Sequence, residues 1–376
     1  MTEDKRGFTD EDGFIQSILE APDDDVPRLQ YADWLEEQGD PRGEFIRLQV
    51  ELARMTANDP RRLRLAERAG VLLKQHRLAW GAPLLDRLSP NDWITSWRRG
   101  FPEGIETDAK TFLDHASDIF RLSPVRALTV LPYTPPAVFL QLCTSSHLAR
   151  LTALDLSWAA IDPTGVQALV SSDSVRNLTE LNLSWNAIGP AGANVVAASP
   201  HLSRLTKLRL GTANLGLEGV RALLASPQLA RLTALSLGGN DIGPAGAAAL
   251  AASDTVRNLT ELDLSWNNIG LEGVQALAAS PHLVRLTTMN LKGNSIGPAD
   301  VRELAASDSL RNLTELDLRD NPISPESAAS LVDSPNLPHL TTLWVDGEAL
   351  QAEVDRRLAA RHGAAPGAAA RRGGRG

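Results

Sequence analysis

LTALDLSWAAI (151–161), LTELNLSWNAI (178–188), LTKLRLGTANL (205–215) and LTALSLGGNDI (232–242) begin a series. It continues with LTELDLSWNNI (259–269), LTTMNLKGNSI (286–296), LTELDLRDNPI (313–323) and LTTLWVDGEAL (340–350). Each leading leucine lies 27 residues after the one before. A fixed period of this size predicts a solenoid, in which a repeat buries its apolar face only by stacking on its neighbours.

Within each repeat, positions three to seven alternate outward and inward, which predicts a short strand. Leucine fills position one, leucine or methionine position four, and leucine or valine position six. Position nine is Asn186, Asn240, Asn267, Asn294 or Asn321 in five repeats, and a buried amide there is expected to satisfy backbone groups. Ala159, Ala213 and Glu348 interrupt that series. Gly189, Gly216, Gly243, Gly270 and Gly297 suggest unusual dihedrals at the entry to a helix. Pro190, Pro244 and Pro298 suit a first helical turn. Leu169, Leu223, Leu250, Leu277, Leu304 and Leu331 are expected to face inward from these helices, and a serine followed by Pro or Asp closes each full repeat.

The pattern LxxLxLxxNxIGxxG followed by a helix resembles the ribonuclease-inhibitor-like class of leucine-rich repeats. Repeats of that class are usually 28 or 29 residues. The resemblance implies an α/β solenoid, a curved leucine-rich-repeat array with a parallel inner sheet and outer helices, over 151–350. Residues 91–150 are expected to form a capping junction. In it the stretch from Trp93 to Ile105 alternates around a turn signal and predicts strand, turn and strand, with Trp93 and Trp97 packed. Val125, Leu128 and Val130 mimic the repeat leucines one residue out of phase. Residues 351–376 are expected to hold the rest of a closing helix, Glu348–Arg361, and then a disordered basic tail.

Ahead of the array, residues 8–90 predict a small all-α domain of four amphipathic helices. Thr9 reads as the cap of the first. The second runs from about Asp24 to Gln38. Asp40 caps the third, and the fourth covers about Pro60 to Trp80. FIQSILEAPDDDVPRLQYADWLEEQGDPRGEFIRLQVEL (14–52) closely resembles the bacterial repeat-companion domain, a family that sits ahead of repeat arrays. That resemblance implies a place in the chain but no activity. Asp33, Glu36, Glu37, Arg42 and Glu44 read as a solvated or salt-bridged surface, with Arg42 in reach of Asp33 or Glu37.

The net charge is −9, and residues 1–60 carry 16 acids against 6 bases, so the acidity is N-terminal and general nucleic-acid binding is disfavoured. One cysteine, Cys143, excludes an intramolecular disulfide and fits a reducing compartment. No apolar run reaches the roughly 18 residues of a membrane helix. A cytoplasmic protein is expected. His147, His201 and His282 recur by period and not at metal-ligand spacing. GGNDIGPAG (238–246) lacks the Lys-Ser/Thr of a phosphate loop, and RRGGRG (371–376) is a single weak RNA-binding signal. No catalytic, metal or cofactor site is expected.

Function is expected on the outward strand positions, which form the concave face in this class. Candidate partner-binding residues are Trp158, Trp185, Trp266, Asp155, Glu180, Asn182, Lys207, Arg209, Glu261, Asp263, Glu315 and Asp317. Exposed aromatics beside charges suit a protein interface, and the carboxylates favour a basic protein or peptide. The expectation is a non-catalytic scaffold. Two alternatives remain: an enzyme regulator, inhibitor-like or GTPase-activating-like, and a substrate-binding arm for an enzyme held by the N-terminal domain.

Overall fold

A computed structural model describes residues 10–56 and 58–363. The Thr9 cap and the tail beyond Gly363 lie outside them. The chain divides into two compact units at Asp155/Leu156.

The first unit opens with helices α1 (Asp10–Glu20), α2 (Asp25–Glu37), α3 (Arg42–Arg54) and α4 (Arg62–Leu85). Asp24 caps α2 by accepting from the Val26 N–H, and Asp40 accepts from the Arg42 N–H at the start of α3. Helix α4 runs past Trp80, through Gly81 and Pro83, to Leu85. Tertiary packing overrides these breakers. Leu84 is buried, and a Cβ at Gly81 would stand 2.6 Å from Ile94 Cδ1.

An antiparallel hairpin follows, β1 (Trp93–Arg98) and β2 (Phe101–Thr107). Its Phe101 completes a core with Ile18, Tyr31, Leu35 and Ile46, and Trp97 packs beside Phe45 and Leu72. Hairpin and helices therefore share their cores. Trp93, expected to be packed, is 61% exposed: the bulges between Ile94 and Trp97 break the alternation of β1, so Ile94 and Trp97, and not Trp93 and Trp97, are its less exposed positions.

Two arginines of the N-terminal motif fasten the hairpin turn. Arg28 is fully buried; it donates to the Arg99 and Pro22 carbonyls and pairs with Glu103 at 3.0 Å. Burial pushes the Glu103 carboxyl up and the Arg28 guanidinium down, despite their mutual attraction. Arg42 lies over the Phe101 ring at 4.7 Å and over Tyr31 at 5.8 Å. Asp33 and Glu36 pair instead with Arg47, so the expected Arg42 pairing does not form. The planar cation gains more over two aromatic faces than at an exposed carboxylate.

The unit ends with α5 (Ala109–Leu122), β3 (Ala127–Val130), α6 (Pro136–Thr144) and β4 (Ala153–Asp155). Strands β2, β3 and β4 are parallel. Leu128 pairs with Leu154, so the one-residue phase shift seen in the sequence is absorbed by a shortened repeat.

The second unit alternates strand and helix. Strands β5 (Glu180–Asn182), β6 (Lys207–Arg209), β7 (Ala234–Ser236), β8 (Glu261–Asp263), β9 (Thr288–Asn290), β10 (Glu315–Asp317) and β11 (Thr342–Trp344) lie side by side in chain order. They are parallel and in register with the period: Glu180 faces Lys207, Lys207 faces Ala234, and so on to Thr342. Helices α7 (Pro163–Val170), α8 (Gly189–Ala198), α9 (Gly216–Leu224), α10 (Gly243–Ala251), α11 (Gly270–Ala278), α12 (Pro298–Ala305) and α13 (Pro325–Val332) alternate with them, and α14 (Glu348–His362) closes the array. The leucines of positions one, four and six are buried, each worth about 1.5–3 kcal/mol.

Three polar ladders tie the repeats together. Thr206 Oγ1 donates to the Thr179 carbonyl, and Thr233, Thr260, Thr287, Thr314 and Thr341 repeat the bond 27 residues apart. Closing serines donate to the end of the preceding helix, as from Ser199 to Val170 and from Ser280 to Ala251. The ninth-position asparagines form the third ladder. Asn240 Nδ2 donates to the Leu210, Leu237 and Gly238 carbonyls, and its Oδ1 accepts from the Ala213 and Leu215 N–H groups.

The breaks in the asparagine ladder have a backbone signature. Where the next repeat supplies an asparagine, the tenth residue is left-handed: Ala160, Asn214, Asp241, Asn268 and Ser295. Repeats two and seven are followed by Ala213 and Glu348. There the eleventh N–H turns to its own ninth carbonyl, Ile188 to Asn186 at 2.9 Å and Ile323 to Asn321 at 2.7 Å. Gly297 departs from its counterparts, with φ −107 where the other four are near +60. Asp300 reaches back to its N–H at 2.6 Å and fixes an extended cap.

Candidate partner-binding face

Position eight, just past each strand, is left-handed in every repeat. Its occupants are Trp158 (φ 59), Trp185 (φ 60), Thr212, Gly239, Trp266 (φ 56), Gly293, Asp320 and Gly347. Three repeats use glycine, the residue this geometry favours. A bulky side chain there costs roughly 1–2 kcal/mol. The tryptophans are 44%, 49% and 56% exposed.

Each ring has one covered side. Trp158 and Trp185 stack at 4.4 Å with planes 9° apart. Trp266 lies over Gly293, where a Cβ would come within 2.5 Å of the ring, and Lys292 approaches it at 5.8 Å. The position-eight side chain thus leans toward the following repeat and leaves its outer face to solvent.

The fifth-position residues divide. Asn182, Asp263 and Asp317 each accept the N–H two residues on, from Ser184, Ser265 and Arg319. They are turns that close the strand. Asp263 also accepts from Ser236 Oγ, and Asp317 pairs with Arg319, which lies over Trp344 at 5.7 Å. Asp155 ends β4 in the first unit. Arg209 occupies position five in repeat three, exposed.

At position three, Glu180 and Lys207 pair across the register at 2.9 Å. Glu261 is exposed and Glu315 half-buried on the same face. The face is therefore less acidic in effect than in composition. The structure gathers the outward charges on one surface and the tryptophans along its edge, at the ends of the strands. Lys292, Arg319 and Trp344 join that edge; their ring contacts depend on neighbours 25 or 26 residues away, close to one period, which side-chain identity alone does not imply.

A model of the leucine-rich repeat matches residues 147–170, 176–197, 231–251, 257–278 and 309–332. Residues 147–332 form a leucine-rich-repeat-like α/β solenoid. Most of repeats three and six falls between the matched segments. Repeat three carries Ala213 in place of the asparagine and Lys207 and Arg209 on the strand. Among solved structures the chain is similar to a Bacteroides fragilis protein, at 15% identity over 62% of this chain and 72% of that one, with a TM-score of 0.45. It is also similar to an internalin from Listeria monocytogenes, at 19% identity over 64% and 81%, with a TM-score of 0.28. A search of curated proteins finds no match. Among the described residues no helix is long and apolar enough to cross a membrane, and no three His, Cys, Asp or Glu side chains are grouped to hold a metal.

Proposed function

We propose that the strand face of the leucine-rich repeats and its tryptophan edge bind a partner protein or peptide without catalysis. One observation carries the reading. Exposed tryptophans occupy left-handed positions where sibling repeats have glycine. Backbone strain of this kind persists where something other than folding retains the residue. Tryptophan is also the side chain most often found anchoring interfaces.

The first unit is read as the repeat-companion module ahead of this binding array, with its hairpin fastened by Arg28 and Arg42. A cytoplasmic setting belongs to the same proposal and rests on the single cysteine. The test uses the full chain as bait for a library of random short peptides. Peptides that bind the wild type are expected to lose about tenfold or more in affinity on Trp158→Asn/Trp185→Asn/Trp266→Asn, roughly 1.4 kcal/mol. No enrichment of peptides, or equal binding by the variant, overturns the reading.

A further inference from the structure

The tryptophan edge has a gap. Between Trp185 and Trp266, repeats three and four present only Gly211, Thr212, Gly238 and Gly239 at positions seven and eight. Three strand steps of about 4.8 Å separate the two tryptophans, so their backbones stand about 14 Å apart. Trp266 leans away from this gap, over Gly293. The result is a notch with a small-residue floor, between the Trp185 position at one end and the backbone of Trp266 at the other.

Two features give the notch a sign. Arg209 ends strand β6 directly below it, exposed and in no ion pair among the described residues. Its register neighbours are the neutral Asn182 and Ser236. Of the nearby acids, Glu180 is paired with Lys207, Asp263 accepts from Ser236 Oγ and the Ser265 N–H beside Gly238, and Glu261 stays exposed two residues before Asp263 on β8. The second feature is the Gly238 N–H. Repeats two, five, six and seven cap the seventh N–H with the fifth-position side chain, and repeat three caps it with Ser184 Oγ. In repeat four Ser236 turns its hydroxyl to Asp263 instead, and the N–H of Gly238, a buried residue packed against Ser265, lacks this cap among the described residues. A guanidinium and a backbone donor beside the same small-residue floor match a carboxylate.

We infer that this notch receives an extended segment of the partner, with an Asp or Glu side chain held by Arg209 between Trp185 and Trp266. The inference rests on the binding role proposed above and narrows it. It also departs from the basic partner expected from composition, because three of the acids that suggested one, Glu180, Asp263 and Asp317, are paired or turned to the backbone.

Two full-length variants test it on the peptides selected above. Arg209→Ala removes the cation. Thr212→Trp fills the notch at a position where three sibling repeats already carry tryptophan, so folding is expected to be preserved, with far-ultraviolet circular dichroism as the check. The selected peptides are expected to be rich in Asp or Glu. Each variant is expected to weaken them about tenfold, and raising salt to about 0.5 M to weaken the wild type's binding but not the residual binding of Arg209→Ala. Peptides lacking acids, or unchanged affinity in both variants, overturn the notch. If the tryptophan variant loses binding while Arg209→Ala and Thr212→Trp do not, the binding face stands and the notch fails. If no variant loses binding, both fail.

Discussion

Replacing Asn267 by alanine removes four bonds at the centre of the ladder. Nδ2 donates to the Leu237 and Ser265 carbonyls, and Oδ1 accepts from the Asn240 and Ile242 N–H groups. The two carbonyls keep other donors, Asn240 Nδ2 at 2.8 Å and the Gly239 N–H at 2.8 Å. The loss therefore falls on the two N–H groups. Repeats two and seven show how one recovers: the eleventh N–H turns to its own ninth carbonyl once the tenth residue leaves the left-handed region. Ile242 can follow that route if Asp241 does. The Asn240 N–H stays orphaned, at about 1–3 kcal/mol. The unfilled space adds about 1 kcal/mol, so Asn267→Ala is expected to lose about 2–4 kcal/mol. Urea denaturation gives the total, and amide hydrogen exchange at Asn240 and Ile242 gives its location. A loss below about 0.5 kcal/mol, or unchanged protection at Asn240, refutes the reasoning, since an ordinary surface substitution does as much.

Two further outcomes concern the first unit. Cys143 is buried and its thiol is pushed up to about 12 by that burial. Its alkylation at pH 8 is expected to be slower than that of a free thiol by on the order of 10³, and to become fast only on unfolding, as mass spectrometry of iodoacetamide-treated protein will show. Gly100 has φ +87, and a Cβ there would stand 2.1 Å from Ile46 Cγ1. Gly100→Ala is expected to cost about 2–4 kcal/mol through strain and overpacking, seen as a lower thermal midpoint; an unchanged midpoint separates the hairpin from the helical core.

Much of the architecture was legible because stacking enforces repetition. Leucines at positions one, four and six must meet their counterparts, so the period alone places the strands. The asparagine ladder was legible for the same reason. Other features were hidden where one residue type serves two ends. Asn182, Asp263 and Asp317 look like outward recognition groups, yet they close the strand turn. The left-handed eighth position was masked because glycine and tryptophan share no property a sequence displays; only the common backbone unites them. Arg42 looked like a surface ion-pair partner, and its place over Phe101 depends on a hairpin 58 residues away. Trp93 and Trp97 share strand parity, so a regular strand would put both on one face; the bulges in β1 separate them, and the sequence does not display a bulge.

The most direct test asks whether the tryptophans serve folding. Trp158→Asn/Trp185→Asn/Trp266→Asn replaces each ring with a residue that tolerates the left-handed region. Relief of strain, about 1 kcal/mol per site, offsets the lost stack of about 0.5–1.5 kcal/mol and the lost ring contacts. Equilibrium denaturation of the full chain is expected to show a stability within about 1 kcal/mol of wild type. A loss above about 3 kcal/mol would assign the rings to packing and contradict a binding face.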